Sequence, residues 1–187
     1  AAQIAELLQH LQHWRNEAEI IEVDGGSTDG SDKLAAPLCD SVVRSERGRA
    51  RQMNAGALLA KGDYLLFLHS DTRLLATVDD FFAGAQAPPQ WGFCRMRLSG
   101  EDWRFRMIET AMNLRSRFTR VATGDQCLFV SRQAWQRCGG FADIPLMEDI
   151  ELSKRLRRLY RPHFVDPGVL SSSRRWEQHG IWSTIAT

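Results

Sequence analysis

The chain is predicted to fold as a single α/β domain with a mostly parallel central sheet flanked by helices. Three observations predict it. Helical and extended segments alternate with short connections over residues 1–69. The run YLLFL (64–68) is apolar throughout, as a strand buried on both faces would be. Acidic residues stand where strands or loops feed helices, and open α/β sheets keep their ligand crevice at such strand ends.

The opening AAQIAELLQHLQHW sets Ile4, Leu7, Leu8 and Leu11 at i, i+3, i+4 and i+7, an amphipathic helix. EIIEV (19–23) is a short strand and DGGSTDGS (24–31) a loop of turn formers. A second helix covers 32–38, with Pro37 near its end. SVVR (41–44) is a strand, RARQMNAGALLAKG a helix stopped by Gly62, and DYLLFLH a buried strand. A unit of this rhythm usually begins with a strand, so one is expected ahead of Ala1. After Pro88-Pro89 the texture changes. WGFCRMRL (91–98) alternates, with Cys94, Met96 and Leu98 on one face and Arg95 and Arg97 on the other. DWRFRMIETAMNLRSR is an arginine-studded helix with Trp103, Met107, Ala111 and Leu114 along one stripe. QCLFV is a strand, RQAWQRC a short helix stopped by Gly139-Gly140, EDIELSKRLRRLY a helix with Leu152, Leu156 and Leu159 inward, and HFVDPGVL a last extended piece.

Composition narrows the function classes. With 187 residues and 43% hydrophobic content the chain can bury one sizeable core. No apolar run is long enough to span a bilayer, and no signal-peptide pattern opens the sequence. A net charge of +1 argues against a dedicated nucleic-acid binder. Residues 1–93 carry 8 basic and 13 acidic groups, whereas 94–187 carry 16 and 10. Of the 24 basic residues 21 are Arg, which suits bidentate phosphate contact and equally reflects a GC-rich genome. Cys39, Cys94, Cys127 and Cys138 have no metal-site spacing and read as free, mostly buried thiols. His10 and His13 read as surface residues.

Asp24 closes the strand 19–23, Asp71 follows the strand ending at His69, and Glu148-Asp149 open a helix, so all three can face one cleft. Taken singly, each is ordinarily a helix cap or first-turn acid. Asp71 asks for more. A carboxylate at the end of a central strand needs a partner, and a divalent metal held through oxygen supplies one. His69, two residues earlier on the same face, is a ligand acceptable to Mn²⁺; its alternative is an imidazole bonded to a backbone carbonyl at the sheet edge. Asp149 shares the stripe of Leu152 and Leu156, which suits a general base taking a proton from a hydroxyl nucleophile. Arg49 and Arg51 stand at a helix start, and Arg174 and Arg175 beside Trp176. Near a metal-bound diphosphate such residues neutralise a leaving group; singly, each reads as a solvated surface arginine. Phosphate-loop, dinucleotide and G-x-S-x-G motifs do not occur.

Taken in order, EIIEVDGGSTDGS, GRARQMNAGALLAKGDYLLFLHSDTRL and GGFADIPLMEDIELSKRLRR resemble the successive signatures of family 2 glycosyltransferases across residues 1–180. More narrowly the chain resembles a bacterial subgroup with HSD-type rather than DAD-type metal motifs, the selenodomain-associated transferases. The resemblance implies the nucleotide-diphospho-sugar transferase (glycosyltransferase A-type) fold in one domain, with 1–90 the nucleotide-binding half and 91–187 the acceptor-binding and catalytic half. It implies a nucleotide-diphosphate sugar as donor, commonly UDP-linked, a divalent cation (Mn²⁺ or Mg²⁺), and a single displacement with inversion. Asp24 matches the acid that contacts the nucleotide base or ribose, with Gly25 and Ser27 in its loop. Arg51 matches a basic residue near the nucleotide. Asp71 matches the last acid of the D-x-D metal motif, with Ser70 before it and His69 replacing the first acid. Asp149 matches the catalytic base of the ED pair, beside Glu148. Arg174, Arg175 and Trp176 resemble the terminal R-W signature of processive relatives, without its leading Gln. Gly25 also departs from the pattern, standing where many members have a second Asp.

The expected function is therefore a metal-dependent inverting glycosyltransferase, cytoplasmic, with Asp149 and Glu148 at the catalytic position and Asp71 and His69 at the metal. Asp24, Gly25, Ser27, Arg51, Ser70, Asp71 and Arg175 are expected at the donor, and Asp125, Gln126 and Trp176 at the acceptor, a saccharide, lipid or small molecule. The basic second half and RRWEQHGIW suit either a peripheral membrane contact or a subunit contact. Two rivals stand beside this reading. A nucleotidyltransferase would need a Gly-rich basic loop after its first strand, and a non-catalytic nucleotide-sugar-binding domain would have lost turnover through the His69 change.

Overall fold

A computed structural model describes residues 2–173. Helix α1 (Ala2–His10) runs into a 3₁₀ turn ending at Trp14 and buries Leu7, Leu8 and Trp14. Then come β1 (Ile21–Asp24), α2 (Ser31–Ala35), β2 (Ser41–Arg44), α3 (Arg49–Leu59) and β3 (Tyr64–Phe67). This is the alternation the sequence predicts. The second half supplies β4 (Thr72–Leu74), β5 (Trp91–Leu98), α4 (Trp103–Thr119), β6 (Leu128–Ser131), α5 (Arg132–Cys138), α6 (Glu148–Leu159) and β7 (His163–Ser171). Strand β4 was not expected. It has three residues, Thr72 and Leu74 inward and Arg73 outward, too few for a periodicity to register.

The sheet is mixed, which corrects the mostly parallel expectation. β1 and β2 form a parallel pair of their own, and the remaining strands lie in the order β3-β6-β5-β7-β4. Within that sheet only β5 and β7 are parallel. The reason lies in α4, which runs back along β5 with Glu109 beside Leu98 and Asn113 beside Met96. The chain then enters β6 still heading in the direction of α4, hence antiparallel to β5. The sheet must also curl. Its end strands β3 and β4 are joined by only residues 68–71, one turn of which is closed by Thr72 N–H donating to the His69 carbonyl. Five strands laid flat would put the outer two roughly 19 Å apart, beyond what that link can cross.

Two apolar clusters cover the sheet. On one face Trp14, Leu74, Phe81, Met96, Phe105 and Phe129 pack together; on the other Leu65, Trp91, Phe93, Val130, Leu152 and Leu156 do. All four cysteines are free, three of them buried, as expected. His10 is less free than a surface residue, its Nε2 lying 2.7 Å from the Leu74 carbonyl oxygen. Leu159, expected inward, is exposed.

Helix α4 reverses its expected orientation. Phe105, Glu109 and Ser116 are buried, with Ile108 and Met112 against the core, while Trp103, Met107 and Leu114 face outward. The cause is polar. β6 pairs with β5 only as far as Phe93, so the β5 edge from Met96 onward needs other partners. Asn113 Oδ1 accepts from Met96 N–H at 3.0 Å and its Nδ2 donates to the Met96 carbonyl at 2.8 Å. Glu109 accepts from Leu98 N–H. Satisfying buried backbone groups turns these polar residues inward.

Between β1 and β3 lies a cleft of about 1460 Å³. Leu7, Leu8 and Leu11 of the first helical segment line it, as do Met53, Gly56 and Ala57 of α3. β1 pairs only with β2 and β3 only with β6, so each presents an edge to this space.

Candidate active site

The cleft continues past the end of β3 to Arg49, His69, Ser70, Asp71 and Asp125, with Ser27 on the β1 side. Short loops bring these residues together at the end of β3, as open α/β sheets do at their ligand crevice.

Asp24 is buried at the end of β1 and shapes its own loop. Its carboxylate accepts from Gly26 N–H at 3.1 Å and from Ser27 N–H at 3.0 Å. The Ser27 hydroxyl, then these backbone donors and the Arg44 guanidinium, hold the carboxyl below its ordinary range against the cost of burial. Gly25 follows, where a Cβ would meet the Gln52 side chain at 2.9 Å, so the loop lies close on α3.

Arg49 is the hub. Its Nη2 stands 3.2 Å from His69 Nε2, and its Nε 3.0 Å from Glu148 Oε1. The latter contact is an ion pair with the wrong angle for a hydrogen bond, so neither oxygen of the wholly buried Glu148 has a hydrogen-bond partner among the described residues. Arg51, the arginine singled out from the sequence, turns away toward Glu46 at 2.6 Å and Asp143 at 3.0 Å. The two differ because residues two apart on a helix point in nearly opposite directions. Nothing in the sequence sets the helical phase at this start, and that is why Arg49 carried no stronger signal than Arg51.

Gly124 makes the cluster fit. A Cβ there would come within 2.3 Å of His69 Cε1 and 2.6 Å of Arg49 Nη2. The 3₁₀ turn it opens, Gly124–Gln126, presents Asp125 to His69, with 4.0 Å between Asp125 Oδ1 and His69 Nδ1. Although 48% of the Asp125 side chain is open, its carboxyl stands within the concave wall of the cleft. Burial pushes its pKa up, with the Asp71 and Asp149 carboxylates adding to the rise and His69 and Arg49 opposing it. Asp125 thus lies within electrostatic reach of both Asp71 and Asp149. Gln126, expected at the acceptor, is wholly buried instead: Ser116 Oγ donates to its Oε1 at 2.7 Å, and Thr123 N–H at 3.2 Å. It ties the turn to α4 rather than facing the cleft, a role its polarity alone could not foretell.

Asp71 is exposed, and Thr72 Oγ1 lies 3.5 Å from its Oδ1. Its backbone is fixed from the far end of the sheet, Ser172 N–H donating to the Asp71 carbonyl at 3.2 Å. Asp149 sits in the first turn of α6, its Oδ1 accepting from Ile150 N–H at 2.7 Å. Ahead of it Met147 takes a left-handed φ of 66°, and Cys127, after the Asp125 turn, takes 47°. Such conformations are costly for residues with a side chain and tend to gather at functional sites. Arg175 and Trp176 lie outside the described residues.

Among the described residues no three His, Cys, Asp or Glu converge closely enough to enclose a metal ion. What the chain offers is open: a lightly engaged Asp71 carboxylate beside Asp125 and His69. That donor set fits a hard cation taking most of its oxygen ligands from a diphosphate and water, the usual habit of Mg²⁺.

Residues 1–80 match the sequence model of the family described as Glycosyl transferase family 2. A mannosyltransferase from Pyrobaculum calidifontis, PcManGT in complex with GDP-Man and Mn²⁺, is similar in structure, with a TM-score of 0.66 and 22% identity over 92% of this chain and 53% of that one. So is TarS 1–349 of S. aureus in complex with UDP-GlcNAc, with a TM-score of 0.69 and 17% identity over 90% and 54%. The chain spans little more than half the length of these structures. At such identities the likeness establishes the fold, that of the A-type glycosyltransferases. No curated protein matches by sequence.

Proposed function

We propose that this chain is a glycosyltransferase that moves a sugar from a nucleotide-diphosphate donor to an acceptor hydroxyl with inversion. The observation that carries the reading is the meeting of Arg49, His69, Asp71 and Asp125 at one end of the cleft, with Arg49 reaching across to Glu148 beside Asp149. The matched family region holds Asp24, Arg49 and Asp71 but ends before Asp125 and Asp149, so the roles of the last two rest on geometry and on the sequence resemblance.

The loop that Asp24 organises holds the nucleoside, with Gly25 and Ser27 beside it. Ser70 and Asp71 face the diphosphate, and Arg49 brings positive charge to the same end of the cleft. A divalent cation held by Asp71, with His69 and Asp125 beside it, would neutralise the diphosphate as it leaves. Asp125 meets the sugar or the acceptor from the opposite wall. Asp149 takes the proton of the acceptor hydroxyl; that oxygen forms the new bond to the anomeric carbon as the bond to the phosphate oxygen breaks, and the nucleoside diphosphate departs. Glu148 keeps Arg49 in place.

The test is product analysis with GDP- and UDP-linked sugars, with and without Mn²⁺. Free nucleoside diphosphate and an inverted glycoside are expected, whereas pyrophosphate release would indicate a nucleotidyltransferase. Asp149→Asn should lower transfer by at least about a hundredfold and leave nucleotide binding within a few-fold. Undiminished transfer in that variant would remove Asp149 as the base.

A further inference from the structure

Helix α4 carries an outward stripe that nothing among the described residues covers. Trp103, Met107, Leu114 and Phe118 are 68, 61, 48 and 81% exposed. At 100° per residue they fall within an arc of about 60° along roughly 22 Å of helix. Exposed Ala111 adjoins them. Arginines border the stripe on both sides: Arg104 and Arg115 on one, Arg106 and Arg117 on the other. The only acid within the helix, Glu109, is buried on its inner side and paired with Arg106 at 2.9 Å. At the carboxyl end Arg120 and Arg157 add to the same basic patch, Arg157 donating to the Thr119 carbonyl at 2.5 Å. Asp102, at the amino end, is engaged by Arg104.

We infer that this face of α4 docks on an anionic lipid bilayer, lying in the interface with its four apolar side chains among the upper acyl chains and its arginines at the headgroup phosphates. Apolar exposure flanked by cations on both sides is the pattern of an interfacial helix. A second copy is a poor occupant, because a two-fold contact through this stripe would set one arginine border against the other. Among the described residues no helix is long and apolar enough to cross a membrane. Binding of this kind does not depend on whether the chain transfers sugar. If both hold, Ser116 on the inner face of α4 links the docked helix to Gln126, next to Asp125.

The test is vesicle flotation of the full chain with phosphatidylcholine alone and with phosphatidylcholine containing about a third phosphatidylglycerol. Flotation is expected with the anionic vesicles only, falling steeply with added salt, since surface charge is screened over about 10 Å at 0.1 M. Replacing Trp103, Met107, Leu114 and Phe118 together by Ser should cut the bound fraction at least tenfold. Arg115→Glu with Arg117→Glu should do so separately, with the folded circular-dichroism spectrum retained although Arg117 leaves its place over the Phe164 ring. Absence of flotation by the unmodified chain would overturn the inference, as would flotation unaffected by either variant. A stripe-dependent dimer without vesicle binding would overturn it in favour of a second copy.

Discussion

At Gly124 a single hydrogen atom in place of a methyl group decides whether His69 and Arg49 can share the end of the cleft. Gly124→Ala should displace both side chains, lowering transfer at least tenfold while costing about 1–3 kcal/mol of stability, as overpacking does. Steady-state kinetics together with denaturant melts would check it; unchanged turnover would mean that the cluster tolerates the shift. Asp125 gives a pH signature. Its carboxyl is pushed above the ordinary range in the folded chain, so the native state holds that proton more tightly than the unfolded state does. The resulting stabilisation is present below the unfolded pKa and lost as pH rises through the folded one. Asp125→Asn should therefore melt higher than the unmodified chain at neutral pH in metal-free buffer. That gain should shrink as pH falls toward about 4, near the ordinary carboxyl value. Asp24, Asp71 and Asp149 could be picked out from the sequence because each stands at the junction of an apolar strand or stripe with a polar loop. Arg49 could be named but not set above Arg51, and Gly124 gave no signal, since their importance arises from close approach between segments far apart in the chain.

Among the elements, α4 shows where pattern reading fails. An apolar stripe at helical spacing was legible, but the side facing the protein was set by unpaired backbone groups on β5 instead. Asn113 stands in for a missing strand, taking both the N–H and the carbonyl of Met96. Asn113→Ala should cost about 2–3 kcal/mol, more than an isolated hydrogen bond, because two backbone groups lose their partners at once. Denaturant melts of the variant would check this; a loss under about 0.5 kcal/mol would show that water replaces the amide readily. β2, α5 and β5 were read with their true ends because turn formers or a change in polarity mark both of their boundaries. β4 and the antiparallel entry of β6 stayed hidden because strand pairing across the chain leaves no local trace.

For the whole molecule, the fold was legible as an alternation and illegible as a sheet. The helix-strand rhythm of residues 2–67 is local, whereas the order β3-β6-β5-β7-β4 depends on contacts between the two halves. The cleft joins segments from both, and a ligand filling it should stabilise the molecule as a unit. A cognate nucleotide sugar at a hundred times its dissociation constant should add about 2.7 kcal/mol, raising Tm by roughly 5–10 °C for a chain of this size. A thermal-shift screen of GDP, UDP and their sugars, with and without Mn²⁺, would check it, and a flat response to all of them would count against a nucleotide-sugar site.

The place of β4 sets a schedule for synthesis. Thr72 pairs with Ser171, and the Asp71 carbonyl is held by Ser172 N–H, about a hundred positions later in the chain. At ribosomal speeds of about 5–20 residues per second, that interval is roughly 5–20 s. Until β7 has left the ribosome, Asp71 has no fixed backbone. The growing chain must carry its strand edges unpaired for that time, so the site becomes competent to bind only after β7 has emerged.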